Sequence, residues 1–398
     1  MQPPRGVAVL GSTGSIGRQT LEVLAWHPRR FRAAVLAAGS DSDAFRAQVL
    51  AVRPRLAVVG RARDRAWLPP DTELAVGHGA LIEAVERPDV ELVVVATSGV
   101  VSLRPTLAAL RARKTVAVAN KEVLVTAGHL VMATARQHAA EIRPIDSEHS
   151  AIWQCLRGEA VDRPRNTVRR IILTASGGPF RDWPAERLRG VTPADALRHP
   201  NWSMGPKITV DSATMMNKGL EAIEARWLFE QPLDAIDIVV HRESIVHSLV
   251  EFFDRSVKAQ LAAADMRLPI QYALAYPDRL PAPTEPLDLT AIGRLTFESV
   301  DTERFPCPGL AFRAGRLGQT YPAVLNAANE EAVRLFLAKE LPFDRLPGAL
   351  DDALEAHVPI REPDLRAIQE ADAWARRHVR EKVLRGRAGG IMSRSLPV

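Results

Sequence analysis

Through its first 149 residues the chain alternates short β-branched runs with segments long enough to be helices, which constrains its fold more than any other feature. Residues 7–10, 33–38, 56–59, 91–96 and 115–119 are almost continuously apolar, as strands buried on both faces are. The segments between them have the length that a crossover between parallel strands needs. A doubly wound, Rossmann-like parallel sheet is therefore predicted for residues 1–149, the α/β part of the molecule.

The pattern then changes. Residues 150–276 mix strands at 170–174, 236–241 and 248–253 with a helix from about Lys218 to Glu230, which predicts a central α+β domain. Residues 277–306 open on a proline-rich stretch that reads as a linker. From 307 to 398 the period is helical, as in residues 324–337, and a C-terminal helical bundle is expected, with a mobile tail over residues 385–398. A chain of 398 residues exceeds one typical core, so several domains are in keeping with its length.

Charge narrows the choice of partners. The net charge is +5, but the arginines are dispersed among acids and aromatic residues make up only 5% of the chain, so no footprint for nucleic acid is present. Two cysteines are too few for a disulfide framework. No apolar run approaches a membrane span and no secretory pattern precedes the first strand, so no membrane partner and a cytoplasmic location are expected.

Gly11-Ser12-Thr13-Gly14-Ser15-Ile16-Gly17 follows the first strand and opens a helix, where free N–H groups and a partial positive charge suit a pyrophosphate. The second strand ends Gly39-Ser40-Asp41-Ser42-Asp43. Asp41 there favours the free ribose hydroxyl of NAD, while Ser40, Ser42 and Arg46 can hold a 2′-phosphate, so the residues leave both nucleotides open.

Lysine and asparagine are scarce, with seven and six in the whole chain, yet six of these thirteen are Asn120, Lys121, Asn201, Lys207, Asn217 and Lys218. An ammonium is a compact point charge that arginine does not replace where one proton or one phosphate oxygen must be met, so these windows mark a candidate active site. Asn120-Lys121-Glu122 falls at the carboxyl end of a strand, the edge where open α/β sheets bind ligands. In Asp146-Ser147-Glu148 the extended backbone expected at a strand end points both carboxylates to one face, a pairing that suits Mg²⁺ or Mn²⁺. The segment from His199 to Glu221 carries Trp202 beside Gly205 and Pro206, as a lid would, and then Ser212, Asn217 and Lys218 at a helix start, where they can hold a phosphate. Glu221 can complete a three-carboxylate site, and Ser176-Gly177-Gly178-Pro179 offers a flexible turn with a hydroxyl.

Together with Ala119-Asn120-Lys121-Glu122, Asp146-Ser147-Glu148-His149, His199 to Gly205, Asp211 to Glu221 and Leu325 to Glu330, these motifs closely resemble the 1-deoxy-D-xylulose 5-phosphate reductoisomerases. The resemblance spans essentially the whole chain in order. It implies a homodimer with an N-terminal NADPH domain, a central catalytic domain bearing a lid, and a C-terminal helical domain. It further implies metal-dependent rearrangement of a small phosphorylated sugar, 1-deoxy-D-xylulose 5-phosphate, then reduction by NADPH to 2-C-methyl-D-erythritol 4-phosphate, the committed step of the non-mevalonate isoprenoid pathway. Carried over by position, Asp146, Glu148 and Glu221 match the ligands of Mn²⁺, Mg²⁺ or Co²⁺, and with Lys121 the catalytic groups. Lys121, Ser147, Glu148, Ser176, His199, Trp202, Ser212, Asn217, Lys218 and Glu221 match substrate contacts. Thr13, Gly14, Ser15, Ile16, Gly39, Ser40, Asp41, Asn120, Glu122 and Gly205 match nucleotide contacts. Where some members carry lysine after the glycine that ends the second strand, this chain has Ser40-Asp41. The rival readings are a metal-free NAD(P)-dependent dehydrogenase and a dinucleotide-sensing binding protein.

Overall fold

The computed structural model describes residues 3–62, 64–159, 167–202 and 204–392. The chain forms two compact units, one of residues 1–123, 129–157 and 260–287, the other of residues 124–128, 158–259 and 288–398.

The first unit is built on seven strands: β1 (Arg5–Leu10), β2 (Phe31–Ala38), β3 (Leu56–Val59), β4 (Glu73–Val76), β5 (Leu92–Val95), β6 (Thr115–Val118) and β7 (Ile142–Pro144). Their order is β4-β3-β2-β1-β5-β6-β7 and every pairing is parallel. The five strands read from the sequence are present. β4 and β7 were not among them, β4 being half-exposed and non-alternating, and β7 only three residues long and ending on a proline. Helices α1 (Ser15–Trp26), α2 (Asp43–Val52), α3 (His78–Glu86), α4 (Leu103–Arg111), α5 (Lys121–His138) and α6 (Ser147–Cys155) start after the carboxyl ends of β1, β2, β4, β5, β6 and β7. Val7, Val9, Leu36, Val94 and Ala117 form the sheet's core with Phe45 and Ile145. The helix Arg267–Ala275 adds Ile270, Ala273 and Leu274 to it.

The sequence reason for the close connection of β1 to α1 is visible at the first turn. A Cβ on Gly17 would lie 2.2 Å from the Gly11 carbonyl oxygen, so only glycine lets α1 start this close to β1. The first strand-to-helix turn is thus set by local sterics, and the sheet by strand hydrophobicity.

The second unit holds a mixed five-stranded sheet in the order β11-β10-β8-β9-β12. Its strands are β8 (Val168–Ala175), β9 (Ile236–Val240), β10 (Val246–Phe252), β11 (Val257–Leu261) and β12 (Glu298–Ser299). β8 runs parallel to β9 and antiparallel to β10. The proline-rich segment therefore leads into a strand, because β12 pairs with β9. Two helices, α7 (Pro206–Ala213) and α8 (Met216–Leu228), follow the Asn201 region. A bundle of α9 (Cys307–Leu317), α10 (Tyr321–Leu337), α11 (Leu346–Ala356) and α12 (Leu365–Met392) completes the unit. Leu220, Ile223, Val324, Leu325, Phe336 and Leu350 lie in one continuous core. The tail expected to be mobile is helical as far as Met392, since residues 385–392 continue α12; residues 393–398 lie outside the described residues. Arginine, leucine and alanine are good helix formers, and a single Gly-Gly step did not outweigh them.

Gly17→Ala is expected to destabilise the first unit by about 1–3 kcal/mol through overpacking against the Gly11 turn. Urea denaturation of the variant checks this, and a midpoint equal to wild type would show that the turn can relax.

Candidate active site

The turns expected to meet a nucleotide lie at the carboxyl ends of β1 and β2. α1 begins at Ser15 with Gly14 as its N-cap, no side chain caps it, and no acid lies in its first turn. Its first N–H groups have no acceptor within the helix, which is the arrangement that takes a phosphate. Ser12 is buried and ties the turn to α2, its Oγ donating to Gln48 Oε1 (2.9 Å) while Gln48 Nε2 donates to the Ser12 carbonyl (2.8 Å). The Thr13 carbonyl accepts from Arg18 (2.6 Å). Gly39, Ser40 and Asp41 follow β2, with the Asp41 carboxylate gripped by Arg46 at 2.8 and 2.9 Å.

Lys121 and Asp146 occupy the carboxyl ends of the neighbouring strands β6 and β7. Lys121 Nζ lies 2.7 Å from Asp146 Oδ2, with 6% and 15% of the two side chains exposed. The Asp146-Ser147-Glu148 segment is not extended throughout, as the sequence reading supposed. Asp146 is the N-cap of α6 and accepts from the Ser147 N–H (3.0 Å), while Glu148 stands in the helix's first turn. An anionic pair is favourable there because the helix N-terminus carries a partial positive charge. The two carboxylates nonetheless offer oxygens within 4.8 Å of one another, and Ser147 Oγ donates to Glu148 Oε2 (2.6 Å). His149 is fully buried with Nδ1 3.8 Å from Asp146. Asn120 caps α5, accepting from the Val123 N–H (3.1 Å) and donating to the carbonyls of Thr97 (2.8 Å) and Gly99 (2.7 Å). Its side chain thus holds the loop after β5, and Glu122 beside it is buried.

In the second unit, a histidine gathers the hydroxyls. Ser176 follows β8 directly, and the turn Gly177-Gly178 has φ of 81° and 70°. A Cβ on Gly178 would lie 2.5 Å from the Ser212 carbonyl oxygen, so glycine is what lets this turn approach the end of α7. Between the two serines stands His199, its Nε2 3.0 Å from Ser176 Oγ and 3.0 Å from Ser212 Oγ. Nδ1 accepts from the N–H groups of Asn201 (3.2 Å) and Trp202 (2.9 Å), which places the proton of the neutral ring on Nε2. Burial, then the charges of Arg181 and Lys218, lower the His199 pKa to about 4. The ring is therefore neutral and donates to a hydroxyl. Arg181 Nη1 donates to the Ser176 carbonyl (2.7 Å).

On α8, Glu221 is fully buried, with Lys218 Nζ 2.7 Å from its Oε2 and Asn217 Nδ2 donating to Oε1. Glu224, one turn on, is fully buried as well. The Trp202 ring centroid is 6.4 Å from that of His247, and Asn201 anchors the same loop to Arg242 and Ser244. Gly205 is the N-cap of α7.

The structure thus gathers Ser176, His199 and Ser212 in one group, Asn217, Lys218 and Glu221 in a second, and Lys121, Asp146, Ser147 and Glu148 in a third. Arg181, whose Nη1 reaches the Ser176 carbonyl, was not singled out from the sequence, and His149, read there as a strand-end histidine, lies buried in α6.

A parallel sheet with an uncapped helix and a buried lysine-aspartate pair at the carboxyl ends of its strands, together with a unit that gathers two serine hydroxyls on a neutral histidine, is the arrangement of a nucleotide-dependent oxidoreductase. Residues 7–128 match the family model of 1-deoxy-D-xylulose 5-phosphate reductoisomerase, and residues 142–229 and 261–378 match models of its C-terminal domains. The enzyme of that name from Geobacillus sp. (strain WCH70) is 52% identical over 379 residues, covering 94% of this chain and 98% of its own. The reductoisomerase of Zymomonas mobilis solved with NADPH superimposes with a TM-score of 0.87 at 40% identity, covering 96% of this chain and 99% of that one. A reductoisomerase solved with NADPH, fosmidomycin and magnesium gives 0.90 at 39% identity, covering 95% and 98%. The chain belongs to the 1-deoxy-D-xylulose 5-phosphate reductoisomerase family.

The lowered His199 pKa has a consequence for stability. The ring titrates at 6.5 when unfolded and at about 4 when folded, so between those values the unfolded chain binds the extra proton. The stability that the neutral ring contributes is complete above pH 6.5 and is lost as pH falls toward 4. Melting temperatures of wild type and His199→Gln across that window should converge or cross as pH falls, the variant showing the shallower dependence. Parallel profiles would remove His199 as the source.

Proposed function

We propose that the chain converts 1-deoxy-D-xylulose 5-phosphate to 2-C-methyl-D-erythritol 4-phosphate through metal-dependent isomerisation and NADPH-dependent reduction, using the three groups of residues above. The observation that carries the residue assignment is the Lys121–Asp146 pair, 2.7 Å apart at the carboxyl ends of adjacent strands, beside the edge that suits a nicotinamide nucleotide. The first unit then serves as the NADPH-binding part and the second supplies the substrate-phosphate pocket and lid. A homodimer in the cytoplasm is part of the same reading and rests on the family resemblance.

The donor set fits a hard divalent cation. Asp146 and Glu148 present oxygens from a helix start, and Glu221 is a fully buried carboxylate already oriented by Lys218 and Asn217. Oxygen donors of this kind suit Mg²⁺, Mn²⁺ or Co²⁺. When bound, the cation supplies polarisation of the substrate ketone and a lowered pKa for a neighbouring hydroxyl, and NADPH supplies the hydride. Ser147, through its hydroxyl on Glu148, fixes that carboxylate and stands ready to meet a substrate oxygen. Lys121 holds Asp146 in place and brings a donor proton to the reacting carbon's oxygen.

Phosphate capture follows from the second unit's geometry. The Ser176 and Ser212 hydroxyls turn from His199 toward phosphate oxygens, the neutral Nε2–H donates, and Lys218 and Asn217 add an ammonium and an amide. Trp202, on the loop tied to His199, closes over the substrate and excludes water, which keeps the aldehyde intermediate in place until it is reduced.

Metal-stripped protein given substrate and NADPH should oxidise the nucleotide only when Mg²⁺ or Mn²⁺ is restored. Turnover without metal would sink the carboxylate assignment and favour an ordinary dehydrogenase. Asp146→Asn should lower kcat by at least about 100-fold, more than loss of an outer partner costs, with NADPH binding retained. Equal loss of both would show that Asp146 supports the nucleotide site instead. Lys218→Ala should raise the substrate KM roughly ten- to a hundredfold through a lost charged hydrogen bond. Steady-state kinetics decides this, an unchanged KM counting against a phosphate role.

A further inference from the structure

At the end of β2, where the ribose of a dinucleotide is read, this chain carries both of the residue types that discriminate nucleotides, an acid and an arginine. They are not independent. Asp41 has no exposed side-chain surface and takes a fork from Arg46, whose Nε and Nη2 lie at 2.8 and 2.9 Å. The same Nη2 donates at 2.9 Å to Asp64, whose side chain is 52% exposed. Asp64 stands on the loop after β3, where its Oδ1 accepts from the Ala66 N–H (3.1 Å) and its carbonyl from Trp67 Nε1 (3.2 Å). The Trp67 ring lies 5.2 Å from the Arg46 guanidinium and packs edge-on to Phe45.

Two carboxylates therefore share one guanidinium, one buried and one at the surface. The buried one fixes the fork's position. With its charge met by Arg46 and no exposed surface, Asp41 is poorly placed to accept from a ribose hydroxyl. The surface one is exchangeable, since an exposed ion pair on a loop is weakly held. A ribose 2′-phosphate, with more charge and three acceptor oxygens, competes for the same donors on better terms, whereas a 2′-hydroxyl offers no charge with which to displace Asp64.

We propose that Arg46 is the residue by which this chain prefers NADPH to NADH, its guanidinium held by Asp41 and exchanging Asp64 for the 2′-phosphate. The inference rests on the nucleotide lying at this sheet edge. It also accounts for Ser40-Asp41 standing where some relatives place a lysine, because the positive charge comes from α2 instead.

Calorimetric titration of the full-length protein with NADPH, NADH and 2′,5′-ADP tests it. Arg46→Gln is made together with Asp41→Asn, so that no carboxylate is left buried and uncompensated. The pair of changes should weaken NADPH and 2′,5′-ADP roughly ten- to a hundredfold, the scale of lost charged hydrogen bonds, and NADH by a clearly smaller factor. Asp64→Asn, on the surface, should tighten NADPH roughly two- to fivefold, the scale of one exposed ion pair, and leave NADH unchanged. Equal weakening of both nucleotides by the double change, no change in either, or equal effects of Asp64→Asn on both would overturn the inference. A wild-type protein that binds none of the three would overturn the placement of the cofactor, and the inference with it.

Discussion

A carboxylate taken out of water must be met by a cation or by several donors, and which cation meets it decides whether it can later be given to a ligand. Arginine grips with a planar fork and holds two oxygens at once, while lysine makes single contacts from a flexible stem. The structure divides the two. Glu251 is held by Arg169, Arg170 and Arg255, and Glu331 by Arg334 and Arg380, each acid carrying at least two guanidinium groups and almost no exposed surface. Asp146, Asp211 and Glu221 are instead met by Lys121, Lys207 and Lys218, with 15%, 1% and 0% of their side chains exposed. These two arginine clusters lie outside the candidate active site, whereas Asp146 and Glu221 within it are each met by a lysine.

These pairs need a scaffold that ends many elements at one place. A parallel sheet does this, because every strand presents its carboxyl end to the same edge and every following helix starts there with free N–H groups. Lys121 begins α5 after β6 and Asp146 caps α6 after β7, so two consecutive strand-to-helix turns supply an ion pair without any long loop. In the second unit a two-glycine turn does the equivalent work, since Gly178 admits the close approach that sets Ser176 and Ser212 on either side of His199.

Much of this was legible in the sequence where a local pattern has one cause. Five strands of the parallel sheet were readable because strands buried on both faces are continuous apolar runs, and α8 because its period is helical up to the proline at 232. What failed had two competing causes. Asp146-Ser147-Glu148 was read as extended because it follows a strand, but a strand followed at once by a helix puts the same residues at an N-cap, where a different geometry brings the carboxylates near each other. Asn120 matches a nucleotide contact by resemblance, and its side-chain amide also donates to the loop after β5, a use that only tertiary structure reveals. The edge strands β4, β11 and β12 carry too little burial to imprint a hydrophobic pattern. Arg181 was hidden in a chain rich in arginine, where one more guanidinium has no distinguishing sign.

The same economy recurs at each place where a ligand would enter. The serine hydroxyls rest on a neutral histidine, Lys218 on Glu221, Lys121 on Asp146 and Arg46 on Asp64. A site left with unmet buried donors would cost the fold about 1–3 kcal/mol for each group. A site whose donors are met by strong, permanent partners would resist its ligand. Partners that are singly bonded, exposed or uncharged lie between these limits, keeping the donors oriented and satisfied yet yielding to a phosphate or a divalent cation that offers more charge. Ligand binding then becomes an exchange of partners with little reorganisation, and burial with its two cationic neighbours keeps His199 uncharged, and so such a partner, well below neutral pH. A protonated imidazole would add a third cation to that group, drawing phosphate more strongly but straining the empty pocket that must exist before substrate arrives.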